Sequence, residues 1–305
     1  MRFFYFFALS FGCAGLLRAH PGHDDSAGTS SAALPPPEVS ITEEGSMRVI
    51  KSNGLPDHAT GQFPGRGNPN TIGPQHYEFR MTLKPAANST FATPRHQPVG
   101  VAVNGVVFDP GTAEFWNNDP QSGWHMEAIG GPRNLGLDQN NAHVQPSGAY
   151  HYHGLPTGLL AQLGANADRM LLIGWAADGF PIYNVSAHEK ANDSSSPLRP
   201  MKPSYRLKTG DRPGGTSGPG GAYDGSYTED YEYVAGLGDL DEANGRTGVT
   251  PEYPKGTYYY VATETFPYLL RMFKGTPDPS FARRGPGGRQ GPGGGMRRPP
   301  GGPGG

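Results

Sequence analysis

The sequence predicts a mainly β, sandwich-like domain of two related hairpin-containing repeats, with few short helices. One β-branched segment, Gly100–Phe108 (GVAVNGVVF), carries Asn104-Gly105, the pair preferred at type I′ hairpin turns. A second segment, Gly174–Tyr183 (GWAADGFPIY), repeats this plan around Asp178-Gly179. Helical periodicity is weak, and the best candidate for a short helix lies within Pro156–Leu172. Short strands separated by many turns indicate a β architecture.

The segments that follow each hairpin also correspond to each other. Leu137–His143 (LDQNNAH) matches Leu240–Arg246 (LDEANGR) at the leucine, the aspartate and the fifth-position asparagine. Gly148–Gly154 (GAYHYHG) matches Gly256–Ala262 (GTYYYVA) at the glycine and at both tyrosines. A repeat of this kind indicates one supersecondary unit used twice.

The predicted organisation has a leader and a polar segment before the domain and a low-complexity tail after it. In chain order the predicted parts are a signal peptide (1–19), a disordered polar Pro/Gly-rich segment (20–70), the domain (71–281) with repeat units 100–154 and 174–262, and a disordered Gly/Pro/Arg tail (282–305).

The leader predicts a secreted or periplasmic protein. A lipid anchor at Cys13 is the alternative, although Ser10 occupies a position where a lipoprotein signal has an aliphatic residue. We expect cleavage after Ala19, which leaves a mature chain with no cysteine and no transmembrane segment. Disulfides and thiolate metal ligands are then excluded.

Composition and motifs argue against several other classes of function. The formal net charge of −2 gives no field that would attract nucleic acid. The sequence has no P-loop, no dinucleotide-binding fingerprint and no G-x-S-x-G nucleophile elbow.

Two histidines alternate with two tyrosines in the segment AYHYHGLP. Successive side chains of a strand point to opposite faces, so Tyr150 and Tyr152 share one face and His151 and His153 share the other. The tyrosines recur in the second unit, which predicts a structural role for them. The histidines do not recur, and this favours a functional role. Their counterparts in the second unit, for His143, His151 and His153 in turn, are Arg246, Tyr259 and Val261.

The spacing H-x7-H-x-H of His143, His151 and His153 suits a three-imidazole metal site with an open coordination position. Without thiolates, imidazole ligands favour Zn or Cu. The alternative is that these rings only stack and form hydrogen bonds within an aromatic loop.

Three further residues are candidates for additional or supporting roles at this site. His125 is either a fourth ligand or a surface residue packed near Trp124. Asp138 and Asn141 are either turn-forming residues or partners that hold a ligand imidazole.

Several of these segments together resemble a known family. NNAHVQPSGAYHYHGLP (140–156), LLIGWAADGFPIYN (171–184) and GDLDEANGRTGVTPEYPKGTYYYV (238–261) are similar to the YHYH-domain family of secreted bacterial proteins. The resemblance extends from about Asn68 to Phe281. It implies a location outside the cytoplasm, but the family carries no established activity.

The sequence supports two functional hypotheses. The first is a His-based transition-metal site for metal binding or for metal-assisted hydrolysis or redox chemistry on an unidentified small molecule. The second is a non-catalytic module that binds an envelope or matrix component through surface tyrosines and Trp116, Trp124 and Trp175.

Overall fold

The strands are short and numerous. The computed structural model describes residues 33–94, 97–131, 135–166 and 168–282. The strands in these ranges are, in chain order, β1 (Val39–Glu44), β2 (Met47–Ser52), β3 (Tyr77–Thr82), β4 (Gly100–Ala102), β5 (Val107–Phe108), β6 (Ala142–Val144), β7 (Tyr150–Tyr152), β8 (Leu172–Ala176), β9 (Pro181–Tyr183), β10 (Ser186–His188), β11 (Leu198–Pro200), β12 (Tyr205–Leu207), β13 (Tyr231–Tyr233), β14 (Gly245–Gly248) and β15 (Thr257–Val261).

Helical structure is minor, and the predicted mainly β fold is confirmed. The helix expected within 156–172 is α1 (Thr157–Gln162), and it buries Leu159. Single 3-10 turns occupy Trp116–Asn118, Thr228–Asp230 and Pro279–Phe281. Among the described residues, none of the helices is long and apolar enough to cross a membrane. The predicted signal peptide, Cys13 and all but the first residue of the predicted tail lie outside the described residues.

The largest sheet has eight strands in the order β14-β15-β9-β8-β4-β5-β7-β6. Its two central strands, β4 and β8, pair antiparallel. Outward from β4 the pairings are antiparallel to β5, parallel to β7 and antiparallel to β6. Outward from β8 they are antiparallel to β9, parallel to β15 and antiparallel to β14. The two halves of this sheet therefore have the same strand order and the same pairing directions.

The β4–β5 hairpin turns by a different geometry from the predicted type I′ turn. Gly105 donates its N–H to the Ala102 carbonyl at 2.9 Å, and Ala102 donates to the Val106 carbonyl at 2.8 Å. Gly105 has a φ of +83°, whereas Asn104 is not in the left-handed region. A type I′ turn requires positive φ at both central residues, so this is a three-residue loop in which the glycine forms a bulge.

The β8–β9 hairpin repeats this geometry. Gly179, at a φ of +90°, donates to the Ala176 carbonyl at 2.9 Å, and Ala176 donates to the Phe180 carbonyl at 2.9 Å. Glycine is needed at both positions because the left-handed conformation is strained for other residues. The Asn-Gly and Asp-Gly pairs thus lie in hairpin loops, as predicted, with a different turn type.

The N-terminal part of the domain begins earlier than predicted. A disordered segment was expected over 20–70, whereas β1, β2 and β3 form an antiparallel three-stranded sheet. β1 is exposed along its whole length, and β2 buries Val49, Ile50 and Ser52. So few buried residues leave little hydrophobic pattern in the sequence. β1 pairs with the adjacent β2, and β2 pairs in turn with β3, which lies about 25 residues further along the chain.

The three-stranded sheet packs against the eight-stranded sheet, which gives a sandwich-like arrangement. Ile50, Phe79 and Met81 belong to the same hydrophobic core as Val101 and Phe108. Burying each side chain of this size contributes roughly 1.5–3 kcal/mol to the stability of the fold. This core holds β4, β5 and β7 in place. The histidines lie on β7 or just after it, and on β6, the edge strand next to it.

The tyrosines of β7 bind polar groups on the sheet face opposite the histidines. Tyr150 donates its hydroxyl to Asp138 at 2.7 Å, and the Tyr152 hydroxyl accepts from Asn104 at 3.0 Å. The Tyr152 hydroxyl also lies 2.6 Å from Nε2 of His58. Both rings are almost fully buried. Their contacts serve the scaffold.

The tyrosines of β15 make corresponding contacts. The Tyr258 hydroxyl lies 3.0 Å from both carboxylate oxygens of Asp241, and Tyr260 donates to Asp178 at 2.6 Å. Burial and the nearby Asp241 raise the pKa of Tyr258, so this hydroxyl stays protonated and acts as a donor.

Candidate metal centre

Two neighbouring strands bring the three histidines together. His143 on β6 stands directly opposite His151 on β7 in the antiparallel register. Residues directly opposite in a ladder have side chains on the same face. His153 follows His151 by two residues, and its N–H donates to the Asn141 carbonyl at 2.7 Å, which extends the pairing past the end of β7. All three imidazoles therefore lie on one face.

The three rings form a close, buried cluster. His143, His151 and His153 are 9%, 2% and 0% exposed. Their ring centres are separated by 4.7 Å, 4.7 Å and 4.8 Å in the three pairs. A ring nitrogen from each residue lies within 4.8 Å of the others. Among the described residues this is the one group of three or more His, Cys, Asp or Glu side chains with metal-site geometry.

Backbone carbonyls fix the orientation of each ring. Nδ1 of His143 lies 2.8 Å from the Leu135 carbonyl, Nδ1 of His151 lies 3.2 Å from the Ala149 carbonyl, and Nδ1 of His153 lies 3.3 Å from the Pro110 carbonyl. A carbonyl oxygen only accepts, so we assign the ring proton to Nδ1 in all three residues. Each Nε2 atom then presents a lone pair.

The Nε2 atoms face one another. Nε2 of His153 lies 3.1 Å from Nε2 of His143 and 3.0 Å from Nε2 of His151. In the Nδ1-protonated tautomer both contacts bring two lone pairs together, and these repel unless a proton or a cation lies between them. Nitrogen ligands of a tetrahedral zinc ion at 2.0–2.1 Å are separated by about 3.3 Å. The observed spacing is close to this value.

Protonation is a poor way to relieve this repulsion. Burial lowers the pKa of His153 well below its ordinary value of 6.5, and the neighbouring His151 and His143 rings and Arg271 lower it further. The hydrogen bond to the Pro110 carbonyl opposes this shift without reversing it. At neutral pH the His153 ring is therefore neutral and able to act as a metal ligand.

The cluster borders a cleft of about 620 Å³, which is lined by His143 and His151. This volume lies in the range of small-molecule sites. The cleft provides access for a substrate or solvent molecule to an otherwise buried cluster. The ionisable side chains that also line it are Asp109, Glu114, His125, Glu229 and Arg271.

His125 lies in this cleft and is held by an acidic partner. Its Nδ1 is 2.7 Å from Oε1 of Glu229, and its backbone N–H donates to Oε2 of the same carboxylate at 2.7 Å. The hydrogen bond to Glu229 raises the pKa of His125 above 6.5, against an opposing effect of burial. His125 is outside the cluster of three, and its ring packs at 4.9 Å against Phe115 rather than on Trp124.

Asp138 and Asn141 make their contacts away from the imidazoles. Asp138 accepts from Tyr150 and from the N–H of Gly61. The Asn141 side chain donates to the Leu155 carbonyl, and its backbone is left-handed at a φ of +52°. The partners that hold the rings are backbone carbonyls instead, so the alternative of a turn-forming role fits both residues.

A buried ion pair supports His153, and sequence reasoning missed it. Arg271 donates to the Pro110 carbonyl at 3.0 Å, the same carbonyl that lies next to Nδ1 of His153. Arg271 also donates to both carboxylate oxygens of Glu127, at 3.1 and 3.0 Å, and Glu127 is 1% exposed. These residues are separated by 144 positions in the chain, so no local pattern indicates the pair.

The three tryptophans are not arranged as one exposed surface. Trp124 and Trp175 are buried at 9% and 7% exposure, and Trp175 belongs to the main core. Trp116 is partly exposed. The tyrosines of β7 and β15 are also buried. These buried residues are therefore unavailable for an aromatic binding platform.

The comparisons with known proteins agree with the resemblance seen in the sequence. No curated protein and no solved structure matches the chain significantly. A family model described as "YHYH protein" matches residues 78–275, well over half of the chain, and this range contains all three histidines and both hairpins. The chain belongs to the YHYH protein family.

Proposed function

We propose that this protein binds a divalent transition metal through Nε2 of His143, His151 and His153, and that the metal assists hydrolysis of a small molecule in the adjacent cleft. The predicted signal peptide would place this activity outside the cytoplasm. Zn and Cu are the metals that a set of neutral imidazoles favours, and zinc is the one of these two that is better suited to hydrolysis.

The observation that carries the proposal is the contact of the three Nε2 atoms. Nε2 of His153 lies within 3.1 Å of Nε2 of both other histidines, while each Nδ1 lies next to a backbone carbonyl. Hydrogen bonds among the rings would require a ring to donate through Nε2, but the carbonyls already take the Nδ1 proton. A cation satisfies all three lone pairs at once.

The cleft is the reason to propose a reaction rather than metal storage. A bound ion with three protein ligands keeps an open position for water or substrate. The metal would supply Lewis acidity there. His143 and His151 line the cleft, so the open coordination position of the metal would be directed toward the cleft.

Metal analysis of the purified protein tests the proposal. We expect about one equivalent of zinc or copper by elemental analysis, and saturable binding of Zn²⁺ to the metal-free protein by calorimetry. His151→Ala and His153→Ala should each weaken Zn²⁺ binding by more than the 10–100-fold that is typical when a residue supporting a ligand is lost.

A matched control is His76→Ala, because His76 is an exposed histidine outside the cluster. It should bind Zn²⁺ like the unmodified protein. Equal Zn²⁺ affinity for all four proteins would contradict the proposal.

A further inference from the structure

We propose that His125 is the residue that transfers protons during this hydrolysis, that Glu229 positions it, and that the bond cleaved is an ester or amide bond of an uncharged substrate. This inference rests on the proposed function and adds a second, metal-independent set of residues to the same cleft.

Glu229 holds His125 at two points. One carboxylate oxygen accepts from the ring at Nδ1 and the other accepts from the backbone N–H, each at 2.7 Å. The Phe115 ring packs edge-on at a centre-to-centre distance of 4.9 Å. Histidines that act as general acids or bases are often held in this way. A carboxylate binds one ring nitrogen, here Nδ1, and the other, Nε2, is left to react.

The Nε2 atom of His125 is available for that role. In the part of the chain that the structure describes, it has no hydrogen-bond partner, and the side chain is 38% exposed. His125 and Glu229 line the same cleft as His143 and His151. The protonation state of the ring can therefore change without disturbing buried structure.

Charged neighbours set the basicity of His125. Glu229 raises its pKa above 6.5 through a hydrogen bond and through its charge, while burial and the charge of Arg271 oppose this. Asp109 and Glu114 are the other charged groups that line the cleft. A raised pKa makes the neutral ring a stronger base, so it can accept a proton in one step and return it in the next.

The charges of the cleft favour an uncharged substrate. Among the described residues that line it, three carry carboxylates, Asp109, Glu114 and Glu229, and the one arginine, Arg271, is already paired with Glu127. Among the described lining residues there is no unpaired arginine or lysine, so a phosphate or carboxylate substrate would meet these acids with only the bound metal and protonated His125 to offset them. An ester or amide carbonyl carries no charge to be repelled.

The proposed step is balanced as a hydrolysis. The oxygen of a water molecule forms a bond to the carbonyl carbon as Nε2 of His125 accepts a proton from that water. The bond between the carbonyl carbon and the leaving oxygen or nitrogen then breaks, and His125 returns the proton to the leaving group. One water is consumed, and an acid and an alcohol or amine are released.

The first experiment follows the histidine rings by NMR in the metal-free and the Zn²⁺-loaded protein. Resonances of the three cluster histidines report metal binding by themselves. If His125 faces the metal across the cleft, Zn²⁺ should lower its pKa by about 0.5 or more, because a nearby positive charge disfavours the protonated ring. The exposed His76 should not respond.

The second experiment measures hydrolysis of p-nitrophenyl acetate, with bis(p-nitrophenyl) phosphate as the charged comparison, by the Zn²⁺-loaded protein. His125→Gln should lower kcat/KM for the ester by about 10²-fold or more. Glu229→Gln should move the inflection of the pH–rate profile to lower pH, since it removes the group that raises the pKa of His125. The matched control Glu232→Gln, at an exposed ion pair with Arg206, should leave the profile unchanged.

The outcomes separate the two proposals. Cluster resonances that do not respond to Zn²⁺ would refute the metal site. Normal Zn²⁺ binding with an unshifted His125, an unchanged ester rate in His125→Gln, or preferential cleavage of the phosphate diester would refute the inference about His125 and leave the metal site standing. Loss of Zn²⁺ binding in His125→Gln would also refute it, because His125 would then be a ligand.

Discussion

Arg271 donates two hydrogen bonds to the carboxylate of Glu127, and this ion pair lies directly behind the carbonyl that holds His153. Glu127 is 1% exposed and the Arg271 side chain is 16% exposed. An uncompensated charge at such a position is costly, so the two residues must act as a unit. The pair fixes the Pro110 carbonyl and, through it, the direction of the His153 ring.

The first prediction concerns Arg271→Lys. Lysine keeps the positive charge, but it cannot contact both Glu127 and the Pro110 carbonyl with a planar, forked group. We expect Zn²⁺ affinity to fall by about 10–100-fold, the usual effect of losing a group that orients a ligand, while the fold is retained. Calorimetric titration with Zn²⁺ measures this.

The control for this prediction is Arg206→Lys, which alters an exposed pair with Glu232. Its Zn²⁺ affinity should stay unchanged. If Arg271→Lys binds Zn²⁺ as tightly as the unmodified protein, the ion pair has no role in orienting His153.

The second prediction is a pH dependence of stability at His125. Its folded-state pKa is raised by Glu229, so protonated His125 stabilises the folded state. This contribution is fully present below the unfolded-state pKa of about 6.5 and is lost as the pH rises through the higher folded-state value. The effect should be small, because the side chain is 38% exposed and its charge is screened by solvent.

Melting temperatures of metal-free Glu229→Gln and of the unmodified protein test this between pH 5.5 and 8.5. The difference between the two proteins should be larger at the acidic end and should shrink as the pH rises. A difference that grows with rising pH would show that the raised pKa of His125 is not the cause.

The third prediction concerns the tyrosine–aspartate pairs, which occur in both halves of the large sheet. Tyr150→Phe removes the donor to Asp138, and Tyr258→Phe removes the donor to Asp241. Each loses a hydrogen bond to a carboxylate, which contributes about 1.5–3 kcal/mol. We expect both variants to be destabilised to a similar extent in denaturant titrations.

Neither change should affect Zn²⁺ affinity, because these hydroxyls lie on the face opposite the histidines. Weakened Zn²⁺ binding in Tyr150→Phe alone would place that tyrosine in the site and contradict its assignment to the scaffold.

The parts of the fold and site that were predictable depend on local periodicity. Side chains in a strand alternate between faces, so His151 and His153 lie on one face regardless of how the rest of the chain folds. His143 lies on the same face because it is directly opposite His151 in the β6–β7 pairing. The hairpin loops were located by their glycines. Their turn type was not, because asparagine and aspartate before glycine suit more than one loop length.

The parts that were missed depend on distant contacts. The carboxylate of Glu229 reaches His125 across 104 positions of the chain, and Arg271 reaches Glu127 across 144. The β1–β2 strands were expected to be disordered because the segment 20–70 is polar and rich in proline and glycine, and β1 is exposed along its whole length. Glu229 and Arg271 reach their partners from remote segments that one sequence does not identify, whereas β1 pairs with the adjacent β2 and only the pairing of β2 with β3 is distant.

The last prediction uses the second half of the sheet as a template for the first. The order and direction of pairing outward from β4 and β8 are the same, and His143, His151 and His153 correspond in sequence to Arg246, Tyr259 and Val261. This matching order is consistent with the duplicated unit predicted from the sequence, and the histidines occur in one half only.

In the second half, the corresponding residues form a packed structural cluster. Arg246 donates to the Tyr259 hydroxyl at 2.6 Å, and Arg246 and Tyr259 are directly opposite in the β14–β15 register, as His143 and His151 are in β6–β7. Tyr259 and Val261 are fully buried. This arrangement needs no metal, since the guanidinium and the hydroxyl satisfy each other.

The triple variant His143→Arg, His151→Tyr, His153→Val should therefore fold without metal and melt close to the metal-free unmodified protein. The added volume of tyrosine has space because His151 borders the cleft. The variant should lose any rise in melting temperature on adding Zn²⁺. For the unmodified protein, Zn²⁺ at 100 times its Kd contributes about 2.7 kcal/mol, or roughly 5–10 °C for a domain of this size.

Tyr152→Ala is the comparison, because loss of a buried aromatic side chain costs about 3–5 kcal/mol with or without metal. If the triple variant unfolds as readily as Tyr152→Ala in the absence of metal, the histidines belong to the scaffold, and their restriction to one half of the sheet is no sign of function.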